Sequence, residues 1–156
     1  NPMRRLIESG AVPGKNFVQV GLRGYWPPKD TFGWMQEQGM RWHLMSEIET
    51  RGFDEVIAEA ISQALDGADH LYLSVDIDVA DPAFAPGTGT PEPGGLSGRE
   101  LLRAVRRIVG SDVHLVAMDV VEVSPPYDSS DITAQLAHRV VLEAISALAT
   151  KKRDSG

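Results

Sequence analysis

Residues 74–96 read SVDIDVADPAFAPGTGTPEPGGL. An apolar run starting at Leu71 passes into Asp76, Asp78 and Asp81 and then into a stiff Pro/Gly loop. Residues 71–77 are apolar at nearly every position, which predicts a parallel-sheet strand covered on both faces. Ser74, Asp76 and Asp78 are spaced two apart, so an extended chain turns all three side chains to one face. Neighbouring carboxylates repel each other and resist desolvation. A fold that closes an apolar strand with such a pair needs a cation there, so the pattern marks half of a metal site. The competing reading is that the aspartates cap loop amides, as aspartates at strand ends often do.

Outward from this stretch the chain alternates strand and helix. Residues 2–9 read as a short helix, 17–22 as a strand, 27–38 as a mainly helical segment and 40–45 as a short strand. Ser46 and Glu49 suggest a capped helical turn. Phe53, Val56, Ile57, Ala60, Ile61, Ala64 and Leu65 follow helical spacing with one buried stripe. Ser97 and Glu100 form a capping box that opens a helix carrying Leu101, Leu102, Val105, Ile108 and Val109. Residues 115–121 are a second buried strand. A last helix runs over about 131–148, with residues 151–153 as a solvated basic tail. The alternation predicts an α/β fold, a mainly parallel sheet with helices on both faces. We find no repeat and no linker, and treat residues 1–156 as part of one domain.

Composition narrows the function classes. The 156 residues carry a formal net charge of −7 and no cysteine. Disulfides and thiolate ligands are excluded, and without a basic patch nucleic acid is not an expected partner. No apolar run approaches the ~20 residues that span a bilayer, so no membrane partner is expected. The chain opens on Asn1, which suggests numbering that starts inside a longer polypeptide.

Sites in open α/β sheets form at the carboxyl ends of the strands. Asp76 and Asp78 end one strand. Glu122 ends the next, in MDVVEVSPP at 118–126. Asp119, out of phase with Glu122, is expected on the opposite face in a structural hydrogen bond. Asp81, before Pro82, reads as a turn former. The loop at 85–95 lacks the Gly-Lys-Ser/Thr of a phosphate loop and its prolines remove amide donors, so it reads as a rigid wall of a small-molecule site. His43, His70, His114 and His138 all read as structural. His70 starts the strand that Asp76 ends, roughly 20 Å away at ~3.3 Å per residue. His43 shows no acidic neighbour within its short strand. The remaining ligands of a two-metal site are not evident.

The 74–96 stretch resembles the signature segment of the ureohydrolases, the family of arginase and agmatinase. APGTGTPE, with Gly87 and Glu92, is closer to the agmatinase-like branch. Residues 118–125 resemble that family's Asp-x-x-Glu-x-x-Pro segment, and the likeness extends to MRRLIESG at 3–10 and QVGLRG at 19–24. The resemblance implies a three-layer α/β/α sandwich with a mainly parallel sheet, here incomplete. It implies two Mn²⁺ ions, with Asp76 and Asp78 matching two aspartate ligands and Glu122 the carboxylate that pairs with the substrate guanidinium. Two metals ~3.5–4 Å apart can hold a bridging hydroxide at neutral pH, and its attack on a guanidinium carbon gives urea and an amine. It further implies a cytoplasmic homo-oligomer acting in polyamine metabolism on agmatine or a similar linear guanidino compound.

The family's Gly-Gly-Asp-His, Asp-Ala-His-x-Asp and later His-Gly segments do not occur here. The chain therefore reads as the C-terminal part of a ureohydrolase domain, expected to be inactive alone. The alternative is a non-catalytic fragment or degenerate homologue. A Mg²⁺-dependent phosphoryl-transfer enzyme would need a cation such as Arg23 at the crevice. Tyr25 and Trp26 are candidates for reading the substrate tail.

Overall fold

The computed structural model describes residues 2–25 and 27–154, so the readings at Asn1 and Trp26 lie outside the described residues. The chain divides into two compact units, Asn1–Asp69 and His70–Gly156.

In the first unit, helix α1 (Pro2–Glu8) precedes strand β1 (Val18–Leu22). Helix α2 (Lys29–Glu37) then leads to strand β2 (Arg41–Leu44), which pairs with β1 in parallel. A parallel pair needs such a crossover because its strands run the same way. Two helices follow, α3 (Met45–Arg51) and α4 (Phe53–Ala64). The helix of α3 starts one residue before Ser46. Leu44 is its N-cap and makes no side-chain cap bond, so the expected cap at Ser46 is not formed. In α4 the stripe buries Val56, Ile57 and Ala60, as its spacing predicts.

The second unit repeats the strand–helix–strand pattern. Strand β3 (Leu71–Asp76) connects through helix α5 (Gly98–Gly110) to strand β4 (Leu115–Val121), again in parallel. The capping box forms as expected, Glu100 N bonding Ser97 Oγ while the Glu100 carboxylate takes the Ser97 amide. Helix α6 (Ile132–Asp154) closes the unit. Leu73 and Val75 of β3, Met118 and Val120 of β4, and Leu101, Val105, Val109, Val140 and Ala144 of the two helices share one hydrophobic cluster. Both helices thus pack on one face of the pair.

The opposite face differs from the sequence expectation. Tyr72 is 47% exposed, and its register partner Ala117 on β4 is exposed as well. The apolar runs are those of strands covered on both faces, but within this unit only one face has helices on it. The C-terminal end differs too. α6 extends to Asp154, and Lys151 Nζ donates to Ser111 O at 2.8 Å and Val113 O at 2.6 Å, tying the helix to the end of α5 rather than trailing in solvent. α6 is also long and apolar enough to cross a bilayer by length and composition alone, contrary to the reading of the sequence. Within this unit it buries one stripe, with Val140 fully buried and Glu143 held by Arg106 and Arg139, while Val141, Leu142, Ile145 and Leu148 are exposed.

Candidate metal centre

Parallel pairing sets the candidate site. Asp76, the last residue of β3, is the register partner of Val121, the last residue of β4. Glu122 is the next residue, so the two carboxylate-bearing strand ends lie side by side. After Asp76 the chain leaves the strand: residues Ile77–Val79 form a 3-10 turn. Asp78 therefore does not share a strand face with Ser74 and Asp76. The cause is local, because the Asp76 side chain accepts from the Asp78 amide at 3.2 Å and bends the backbone. The amide-cap reading of Asp76 is thus realised, and its carboxylate lies close enough to those of Asp78 and Glu122 to feel their charge. Ile77, wholly buried in the core between them, pins this turn.

The loop that follows is braced at several points. Asp81 is the turn former expected, accepting from Ala83 N at 2.9 Å and Gly94 N at 2.8 Å. Leu96 N donates to Val79 O at 2.9 Å, closing the loop at its base. A Cβ on Gly95 would stand 2.5 Å from Asp81 N and 2.6 Å from Ala80 C, so the two limbs meet only because that residue is glycine. Thr88 bridges Val123 across an antiparallel contact, and Ser124 N donates to Gly87 O at 2.8 Å. Gly87 N donates to Thr133 Oγ1 at 2.7 Å, while Asp128 caps the start of α6 through Thr133 N and Ala134 N. The wall-like loop read from the prolines is thus fastened to β4 and α6.

Two contacts reach the carboxylates. Thr90 Oγ1 donates to Asp78 Oδ2 at 2.7 Å. Glu122 sits beside Gly89, where an added Cβ would stand 3.7 Å from Glu122 Oε2. Glu122 has a φ of 64°, a left-handed backbone uncommon for a non-glycine residue. That conformation takes it out of the β4 ladder, so it follows the strand rather than ending it. Asp119 accepts from Ser74 Oγ at 2.7 Å and from the Tyr72 hydroxyl. Its structural bond is as expected, and the register Ser74↔Asp119 puts it on the Ser74 and Asp76 face.

The electrostatics follow from this crowding. Asp76 as a residue is exposed, yet protein atoms around its carboxyl exclude enough water to matter. That desolvation, then the charge of Asp78, with a smaller contribution from Glu122, pushes the Asp76 carboxyl up to about 7. Carboxylates that hinder one another's ionisation are matched to a cation. The all-oxygen donor set suits a hard ion such as Mn²⁺ or Mg²⁺. It is an open set: among the described residues, three ligand groups come within 4.8 Å of one another only at His43, Glu47 and Glu59. Sequence reading missed that group, because the acids near His43 come from α3 and α4. The His70 and His114 rings lie 4.6 Å apart, tilted by 43°, where β3 and β4 begin, at the far end of the strands from Asp76. Arg23 and Tyr25 belong to the other unit, where Tyr25 is fully exposed.

The chain is similar in sequence and structure to known proteins. Over 150 residues the chain is 43% identical to a guanidinopropionase of Pseudomonas aeruginosa, covering 95% of this chain and 45% of that enzyme. Its structure is similar to formimidoylglutamase of Bacillus subtilis, with a TM-score of 0.90 and 31% identity over 95% of this chain and 46% of that one. It is also similar to proclavaminate amidino hydrolase of Streptomyces clavuligerus, with a TM-score of 0.83 and 38% identity over 97% and 48%. The chain thus spans about half the length of these relatives and has an arginase-like α/β fold. The arginase family model matches residues 1–147, and the chain belongs to the arginase family.

Proposed function

We propose that this chain forms part of a manganese-dependent amidinohydrolase that cleaves a linear guanidino compound to urea and an amine. The observation that carries the reading is the joining of Asp76, Asp78 and Glu122 at adjacent ends of a parallel pair. Asp76 and Asp78 would hold metal, and bound manganese would supply a hydroxide at neutral pH. Thr90 fixes the rotamer of Asp78 by its hydroxyl bond. Glu122 offers a carboxylate fork to a planar guanidinium, a pairing that favours bidentate hydrogen bonds. The braced loop at 85–95 stands beside the site and reaches it through Thr90. The P. aeruginosa relative named for guanidinopropionate supports a guanidino acid as substrate beside agmatine.

The open ligand set favours a second reading for the chain by itself, a partial site without turnover. Two aspartates cannot complete a two-metal centre, so further ligands have to come from elsewhere in the polypeptide or from a partner. We place the activity in the cytoplasm, in a homo-oligomer without nucleic acid or membrane partners. The test measures urea release with added Mn²⁺ from agmatine, guanidinobutyrate and guanidinopropionate. It compares the 156-residue chain with the chain extended by its upstream reading frame. Urea from the extended form alone is expected. Robust turnover by the short chain overturns the partial-site reading, and no urea from either form overturns the hydrolase.

A further inference from the structure

His43, on β2, is 4% exposed and has an acceptor facing each ring nitrogen. Nδ1 lies 3.1 Å from Glu47 Oε1 and Nε2 lies 3.0 Å from Gln63 Oε1. The far end of Gln63 fixes which of its atoms meets the ring. Gln63 Nε2 donates to Glu59 Oε1 at 2.8 Å, and an ionised carboxylate can only accept, so Oε1 is the atom left for His43. Arg51 closes the circuit, donating to Glu47, to Glu55 Oε1 at 2.7 Å and to Glu59. His43, Glu47, Arg51, Glu59 and Gln63 therefore form a closed ring that joins β2, α3 and α4.

A neutral imidazole has one N–H and satisfies one of two acceptors, leaving a buried lone pair against an acceptor. We propose that the ring holds His43 as a doubly protonated imidazolium and that this proton is a latch fastening α3 and α4 to β2. The facing charges agree. α3 supplies Glu47 and Arg51, and α4 supplies Glu55 and Glu59. On β2 the other charged residue is Arg41, paired with Asp66 at 3.2 Å, the 3-10 turn Gly14–Asn16 packed beside it carries Lys15, which also pairs with Asp66, and β1 carries no titratable group. Without the His43 proton, Arg51 faces three carboxylates alone. Arg51 holds Glu59 below the usual carboxylate range. Burial works the other way at Glu47, yet His43 and Arg51 together lower it too. His43, Glu47 and Glu59 have the makeup of a metal site, but Arg51 already donates to both carboxylates.

The test is imidazole ¹⁵N spectroscopy of the labelled chain at about pH 7, with His43→Asn assigning the signals. Both His43 nitrogens are expected at protonated shifts. As pH is raised until that signature is lost, the protection of amides across α3 and α4, corrected for intrinsic exchange at each pH, should fall about tenfold in step, the loss of one charge-assisted hydrogen bond. Glu47→Gln should lower the pH at which the signature is lost. A singly protonated His43 ring in the unaltered chain overturns the proposal, as does amide protection that ignores the His43 transition. Displacement of the His43 signals by added Zn²⁺ overturns it in favour of a metal site.

Discussion

Thr90 reaches back across the loop to donate to Asp78 at 2.7 Å, although twelve residues separate the two. Metal ligands are commonly oriented by such outer partners, whose loss costs about 10- to 100-fold in metal affinity. Thr90→Val keeps the shape and removes the donor. Calorimetric titration of Mn²⁺ into the extended polypeptide should show weakening of about that size. Thr90 is exposed, so thermal stability should move by less than about 1 kcal/mol.

Asp76 makes the metal-free chain pH-sensitive. Its folded carboxyl is pushed up to about 7 from 3.8, so the folded chain binds this proton more tightly than the unfolded chain. The resulting stability is fully present below the unfolded value and is lost as pH rises through about 7. The full shift corresponds to about 4 kcal/mol, and solvent screening of an exposed group reduces it to on the order of 1 kcal/mol. Melting in chelator from pH 5 to pH 8 should show a falling Tm. Asp76→Asn should flatten that fall and raise the Tm at pH 8 while weakening Mn²⁺ binding. An unchanged slope in the variant would refute the assignment.

Gly87 packs where a side chain cannot. An added Cβ would stand 2.4 Å from the Asp128 Cβ, and Asp128 is itself buried as the cap of α6. Gly87→Ala should destabilise by about 1–3 kcal/mol, the usual cost of overpacking. Urea denaturation reads this directly. Gly110→Ala, where an added Cβ meets nothing within 4 Å, is the control and should not be destabilising.

Much of this was legible in the sequence because it rests on periodicity and spacing. The stripe Val56, Ile57, Ala60 and the box Ser97, Glu100 behave as their patterns predict. The adjacency of Asp76 and Glu122 follows from parallel crossover rules. What was not legible depends on single side-chain contacts. The alternation of Ser74, Asp76 and Asp78 gives no hint that Asp76 would cap the Asp78 amide and end the strand. The acids beside His43 lie across a strand–helix junction and on a second helix, beyond the reach of any one element's pattern. The open face at Tyr72 and Ala117 shows that an apolar run records what a strand is suited to, while exposure depends on what packs there.

Glu122 separates the demands of folding from those of binding. Its φ of 64° suits glycine and strains most other residues, so the backbone pays for the position of the carboxylate. Glu122→Gly should therefore stabilise the chain by about 1 kcal/mol, provided that the left-handed backbone is retained. Glu122→Gln keeps the strain and most of the shape but loses the charge. Both variants should lose guanidinium binding, measured by titrating guanidinobutyrate into the Mn²⁺-loaded extended polypeptide. Losing a charged hydrogen-bond partner costs about 1.5–3 kcal/mol, or roughly 10- to 150-fold in affinity. A glycine variant that is both less stable and undiminished in binding would show that Glu122 serves the fold and not the substrate.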